Sequence, residues 1–128
     1  MKRVATWVLA ATLAAAASCI DAGPVAGVLT LSLTTPNAGA DGAILFSVTG
    51  PQPLASVTAG PGLRVFFQPS STVTRCAVTG PLTNGTVVTI GVADVRQVAQ
   101  YVATIQSVAA SADFQLRALT GYSLTVSK

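Results

Sequence analysis

From Val25 onward, apolar and polar residues alternate in short runs instead of recurring every three or four positions. Ile44, Phe46 and Val48 fall on one side of an extended chain, with Leu45, Ser47 and Thr49 on the other. Leu63, Val65 and Phe67 alternate in the same way with Arg64, Phe66 and Gln68. A period of two sets one face of a strand on a core and the other toward solvent. The runs are rich in Thr and Val and are broken by Gly-Pro, Pro-x-Pro and Asn-Gly, the pattern of an all-β sandwich. It predicts strands over Gly27–Thr34, Ala43–Thr49, Leu54–Thr58, Leu63–Gln68, Thr72–Thr79, Thr86–Val92, Tyr101–Ala109, Phe114–Ala118 and Tyr122–Val126.

The stops have mechanisms. Gly50-Pro51, Gly60-Pro61 and Gly80-Pro81 join a permissive backbone to a residue that cannot donate to a ladder. Asn84-Gly85 is the strongest hairpin signal, since both residues tolerate positive φ. Asn84-Gly85-Thr86 is also a formal glycosylation sequon, read here as a turn. One stretch departs from the β rule: Ala93–Gln100 carries Val95, Val98 and Ala99 at helical spacing. A turn or two of helix is expected there, capped by the Asp94 carboxylate accepting from the first free amides.

The segment before Val25 has a different pattern and a different meaning. Lys2 and Arg3 precede an apolar run from Val4 to Ala17, followed by Ser18 and Cys19. A charged start, a short apolar stretch and small residues make an export signal, too short for a membrane span of about 20 residues. Two cleavage sites fit. Ala16-Ala17-Ser18-Cys19 resembles the lipobox of a bacterial lipoprotein, with Ala16 where Leu is usual, which implies cleavage before Cys19 and a diacylglycerol on its thiol. Ala15-Ala16-Ala17 fits a small-x-small site and plain secretion or a periplasmic location. The lipoprotein reading is preferred. With Ile20 directly after Cys19, the resemblance implies the outer membrane in a double-membrane bacterium.

Composition narrows the chemistry. The chain of 128 residues is 51% hydrophobic and 9% charged, with no histidine or glutamate. Past the signal, five cations (Arg64, Arg75, Arg96, Arg117, Lys128) face four aspartates (Asp21, Asp41, Asp94, Asp113), a side-chain charge of +1. Scattered arginines do not make the clustered basic surface that nucleic acid requires. Without histidine, Ser-His-Asp and Cys-His nucleophiles and most zinc sites are lost. Without glutamate, a carboxylate pair would have to come from the aspartates, whose spacing suggests none. Asp41, Asp94 and Asn84 with backbone carbonyls are the residues a calcium site would draw on, but no loop carries the D-x-D-x-D pattern. No catalytic residue, cofactor or metal site is therefore expected.

If Cys19 is acylated, Cys76 is the remaining thiol. It shares a face with Thr74 and Val78, opposite Arg75, and reads as a small buried hydrophobe. A Cys19–Cys76 disulfide is the alternative in a secreted protein. The clearest surface signal is Phe66, turned outward between Arg64 and Gln68, with Arg75 facing the same side from a neighbouring strand. An exposed aromatic beside arginine is the composition of a contact centre. The competing placement puts Phe66 inside and Phe67 out.

Gly42–Val48, Asn84–Val95 and Gly121–Val126, in that order and spacing, resemble strand segments of cohesin-type domains and their relatives among carbohydrate-binding modules. The resemblance implies an immunoglobulin-like (jelly-roll) β-sandwich of about nine strands that works by binding. The expected organisation is a signal over 1–18, a lipidated N-terminus and tether over 19–25, and a cohesin-like domain over 26–128. The expected function is that of a non-catalytic, lipid-anchored envelope protein that binds another protein, with Arg64, Phe66 and Arg75 on its contact face. Carbohydrate binding is the second expectation, weakened because Trp7 leaves with the signal and Tyr101 and Tyr122 start strands. A structural envelope protein without a discrete ligand is the third.

Overall fold

Alternation of the kind shown by Ile44, Phe46 and Val48 requires a second layer to cover the apolar side, and in this fold that layer is another sheet. The computed structural model describes residues 23–128. The strands are β1 (Gly27–Thr34), β2 (Asp41–Thr49), β3 (Ser56–Ala59), β4 (Arg64–Ser70), β5 (Val73–Leu82), β6 (Gly85–Val92), β7 (Val102–Ala110) and β8 (Ser123–Ser127). They form two four-stranded antiparallel sheets, ordered β3-β6-β1-β8 and β4-β5-β2-β7. The chain is a β-sandwich. Its core is made by Leu29, Leu31 and Leu33 of β1, Ile44, Phe46 and Val48 of β2, Cys76 and Val78 of β5, and Val88, Ile90 and Val92 of β6, each no more than 2% exposed. Each large apolar side chain removed from water contributes about 1.5–3 kcal/mol.

Three sequence expectations change. Asn84-Gly85 is not a hairpin: it carries the chain from β5 in one sheet to β6 in the other. Gly85 still needs its glycine, with φ at 122°, but for a corner between sheets. Gly80-Pro81 does not end a strand. It lies inside β5, where Leu82 pairs with Asp41 and Thr79 with Ala43, so two residues bulge opposite Gly42 and the missing proline donor is accommodated. The run Phe114–Ala118 forms no strand; Leu116 alone makes a bridge, to Ala109. Phe114 adopts φ of 58°, a left-handed conformation that interrupts an extended run.

A buried polar cluster closes one end of the sandwich. Asp41 is fully buried and its carboxylate accepts from Thr35 Oγ1 at 2.6 Å, Arg117 Nε at 3.1 Å and the Tyr122 hydroxyl at 2.9 and 3.0 Å. Tyr122 in turn accepts from Asn37 Nδ2 at 2.9 Å, and Thr35 N donates to Asn84 Oδ1 at 2.8 Å. These bonds tie the β1–β2 loop, the β5–β6 corner and the segment before β8 to one carboxylate. A buried charge is tolerable only when paired and hydrogen-bonded in this way.

The other end is capped locally. Asp94 precedes a 3-10 helix over Val95–Gln100, and its Oδ1 accepts from Arg96 N at 3.1 Å, as the sequence predicts. The same oxygen accepts from Val25 N at 3.3 Å, while Val95 N donates to Val25 O at 2.8 Å, so the chain leading into β1 is fixed here. Tyr101 follows the helix and packs its ring where a side chain on Gly50 would stand, so a Cβ there would overlap the ring.

Candidate interaction surface

Because paired residues on neighbouring strands share a face, the register fixes what the outer face of the β4-β5-β2-β7 sheet displays. Phe66 stands beside Ala77, Ala77 beside Leu45 and Leu45 beside Ser107. The adjacent row runs from Arg64 through Thr79 and Ala43 to Ala109, and the isolated bridge adds Leu116 beyond Ala109. On the other side of Phe66 lie Gln68, Arg75 and Ser47. Small residues thus occupy the middle of these rows, with Phe66 (60% exposed), Leu45 (41%) and Leu116 (74%) as their large apolar groups, and Val102 beside Thr49 adds another at the end of the face. Four strand spacings separate Phe66 and Leu116, a width of roughly 19 Å.

Arg64, Phe66 and Arg75 therefore lie on one outer face, Phe66 between the two arginines. Cys19 lies outside the described residues. Phe67 turns toward the inner side but stays 48% exposed, because β3 opposite is only four residues long. Two shallow hollows mark the Phe66 side. One, of about 320 Å³, is lined by Leu45, Phe66, Phe67, Gln68, Arg75, Cys76 and Ala77; the other, of about 380 Å³, by Gln68, Ser70, Val73 and Arg75. They share Gln68 and Arg75.

Alternation within one strand does not disclose Leu45 and Leu116 as parts of this face. Leu45 is visible only as the outward member of its strand, and Leu116 enters through a single bridge to a residue seven positions earlier. Its segment is nonetheless held firmly: Arg117 N donates to Val108 O at 2.7 Å, Ala110 N to Gln115 O at 2.9 Å, and the Arg117 side chain to Asp41.

Of the titratable groups with altered affinity, Asp94, Arg96 and Tyr101 lie elsewhere, and Cys76, although it borders the hollow beside Phe66, has its thiol buried. Hydrogen bonds from the Arg96 side chain, with backbone donors from Arg96 and Val25, hold the Asp94 carboxyl down at about 2. The side-chain bond to Asp94, and then the Asp94 charge, raise Arg96. Burial pushes the Cys76 thiol up to about 11, which keeps it protonated and unreactive. Burial, and then the Asp94 charge, raise Tyr101, whose buried hydroxyl has no hydrogen-bond partner among the described residues. Asp41 and Asp94, raised by the sequence as calcium ligands, stand at opposite ends of β1, a strand of eight residues or roughly 26 Å.

No family model matches this chain. Nor does any curated protein or solved structure match it. Its surface is therefore read from its own residues. The four strands of the face carry no carboxylate on it: among the described acids, Asp41 and Asp94 are buried in the two ends and Asp113 lies outside the strands, in the segment after β7.

Proposed function

We propose that this chain is a non-catalytic, lipid-anchored protein of the cell envelope that binds another protein through the outer face of the β4-β5-β2-β7 sheet. The observation that carries the reading is the apolar band from Phe66 through Ala77, Leu45, Ala43 and Ala109 to Leu116, with two arginines at one side. Contiguous exposed apolar surface rimmed by polar groups marks interaction sites, and aromatic and arginine side chains dominate their energetics. An immunoglobulin-like, cohesin-type sandwich is the finer fold that goes with this reading. The anchor reading rests on Ala16-Ala17-Ser18-Cys19. Val25 is tied to Asp94 and Val95, so six residues from Cys19 would hold that end of the sandwich within roughly 20 Å of the lipid.

The test uses the purified protein, immobilised and exposed to envelope extract and, separately, to insoluble polysaccharide. The expected result is a retained protein that is lost with Phe66→Ala and with Leu45→Ser, while thermal unfolding stays unchanged. Retention unaffected by both substitutions would reject this face. Retention on polysaccharide alone would move the chain to the carbohydrate-binding class, for which Phe66 and Phe67 are the exposed rings beside the hollows. For the anchor, Cys19→Ala should release the protein from membranes; membrane retention at the wild-type level would reject it.

A further inference from the structure

The four sheet edges are not equally defended. β3 and β8 are edge strands of four and five residues. β7 is bulged, since Leu45 pairs with Ser107 and Phe46 with Ile105, leaving Gln106 without a partner on β2. Its far end is also covered by residues 115–117. Short strands, bulges and covering segments are three of the means by which proteins block pairing at an edge, beside charged side chains and proline, which β4 carries only toward its ends as Arg64 and Pro69. β4 lacks the first three. It runs seven residues in unbroken register against β5 and, among the described residues, carries no strand on its other side. Pro69 removes a donor only near its end.

The charges next to that edge are also unbalanced. Arg96 pairs with Asp94 at 3.0 Å and Arg117 with Asp41 at 3.1 Å. Among the described residues Arg64 and Arg75 have no acid within salt-bridge reach, and both stand on the Phe66 face. A segment laid beside β4 with an apolar residue opposite Phe66 would set its outward neighbours two positions away opposite Arg64 and Gln68, the latter directly beside Arg75. Acidic residues at those two positions satisfy both arginines. Inward residues on either side of the apolar one would meet Val65 and Phe67. A second copy of this chain fits worse, because antiparallel pairing of two β4 strands gathers both arginines of each copy on one face without a carboxylate.

We propose that β4 takes an extended acidic segment of a partner protein as an added strand, in the pattern acid, any, apolar, any, acid. Main-chain hydrogen bonds supply affinity and the alternate side chains supply selection, as in other strand additions. This rests on the interaction-module reading and names the chemistry of its partner.

The probe is a blocked peptide, Thr-Glu-Val-Tyr-Val-Glu-Thr, whose side-chain order is the same in either direction. Binding to the full chain is followed by fluorescence anisotropy and by amide exchange of β4. The acidic peptide should bind and slow exchange within 65–68. Lysine in place of both glutamates should weaken binding by about tenfold or more, as should Arg64→Glu with Arg75→Glu in the protein. Methylating alternate peptide amides should abolish binding in one of the two phases. Equal binding of the lysine peptide, or equal binding of peptides methylated in either phase, overturns the proposal. So does absence of binding at about 1 mM, or a dimer of the protein alone that protects β4. Loss of capture from envelope extract with Phe66→Ala stands apart from these outcomes: if it persists while strand addition fails, the face is used without the edge.

Discussion

The two ends of the sandwich are each closed by an aspartate and an arginine, and they do so by opposite means. Asp94 and Arg96 are two residues apart, and the carboxylate caps the turn that begins beside it. Asp41 and Arg117 are 76 residues apart, and the carboxylate collects three donors from two separate segments, the β1–β2 loop and the β7–β8 connection, at zero exposure. The first arrangement forms with its own helix and stays partly in water, so its loss frees one strand entrance. The second exists only when β1, β2 and the chain before β8 are all in place, so its loss opens a whole end. A similar ion pair is a local cap in one setting and a cornerstone of tertiary structure in the other.

Asp41→Ala is the harshest way to break this contrast. It strands the donors of Thr35, Tyr122 and Arg117 around an emptied site, and a loss of about 3 kcal/mol or more is expected in denaturant unfolding. Leu116 should also become more mobile, because Arg117 no longer holds its segment, and amide exchange at Arg117 reads this directly. Tyr122→Phe removes one hydroxyl that serves both Asp41 and Asn37; about 1–2 kcal/mol should go, with the rest of the cluster intact. Asp94→Ala should cost less than either, with faster exchange confined to Val25, Val95 and Arg96. Were the Asp94 variant the less stable, the contrast drawn here between the two ends would fail.

Acid sharpens the comparison from the other side. An unfolded aspartate titrates at about 3.9, and Asp94 in the fold at about 2. As pH falls the unfolded chain takes the proton first, so the stability Asp94 contributes is complete above about pH 4 and is lost on the way to pH 2. The difference between wild type and Asp94→Ala in urea midpoint should shrink across that window. A difference that stays constant down to pH 2 would show that the charge is not what caps the helix.

What was legible in the sequence follows the same division between local and distant. Alternation placed β1, β2, β4 and β5 closely, and put Cys76 inside and Phe66 outside, because a period of two is a property of each strand alone. The Asp94 cap was readable for the same reason. The role of Asp41 was not, since its partners lie 6, 76 and 81 residues away and only the fold assembles them. Asn84-Gly85 carries the signal of a tight turn, yet local chemistry does not say whether the strands it joins will pair or part. Leu116 belongs to the candidate face through one bridge across a turn whose left-handed Phe114 no residue preference would have placed there.

Cys76 gives the molecule a chemical stopwatch. Its sulfur is sealed between the sheets, 1% exposed, and its proton is held to about pH 11. Unfolding removes both protections at once: an alkylating reagent gains access, and the thiol returns to an acidity near 8.5. At mildly alkaline pH the folded form is thus silent for two multiplied reasons, and the rate of alkylation at Cys76 counts openings of the sandwich with no engineered reporter. A bound strand that steadies β4 against β5 would slow that clock.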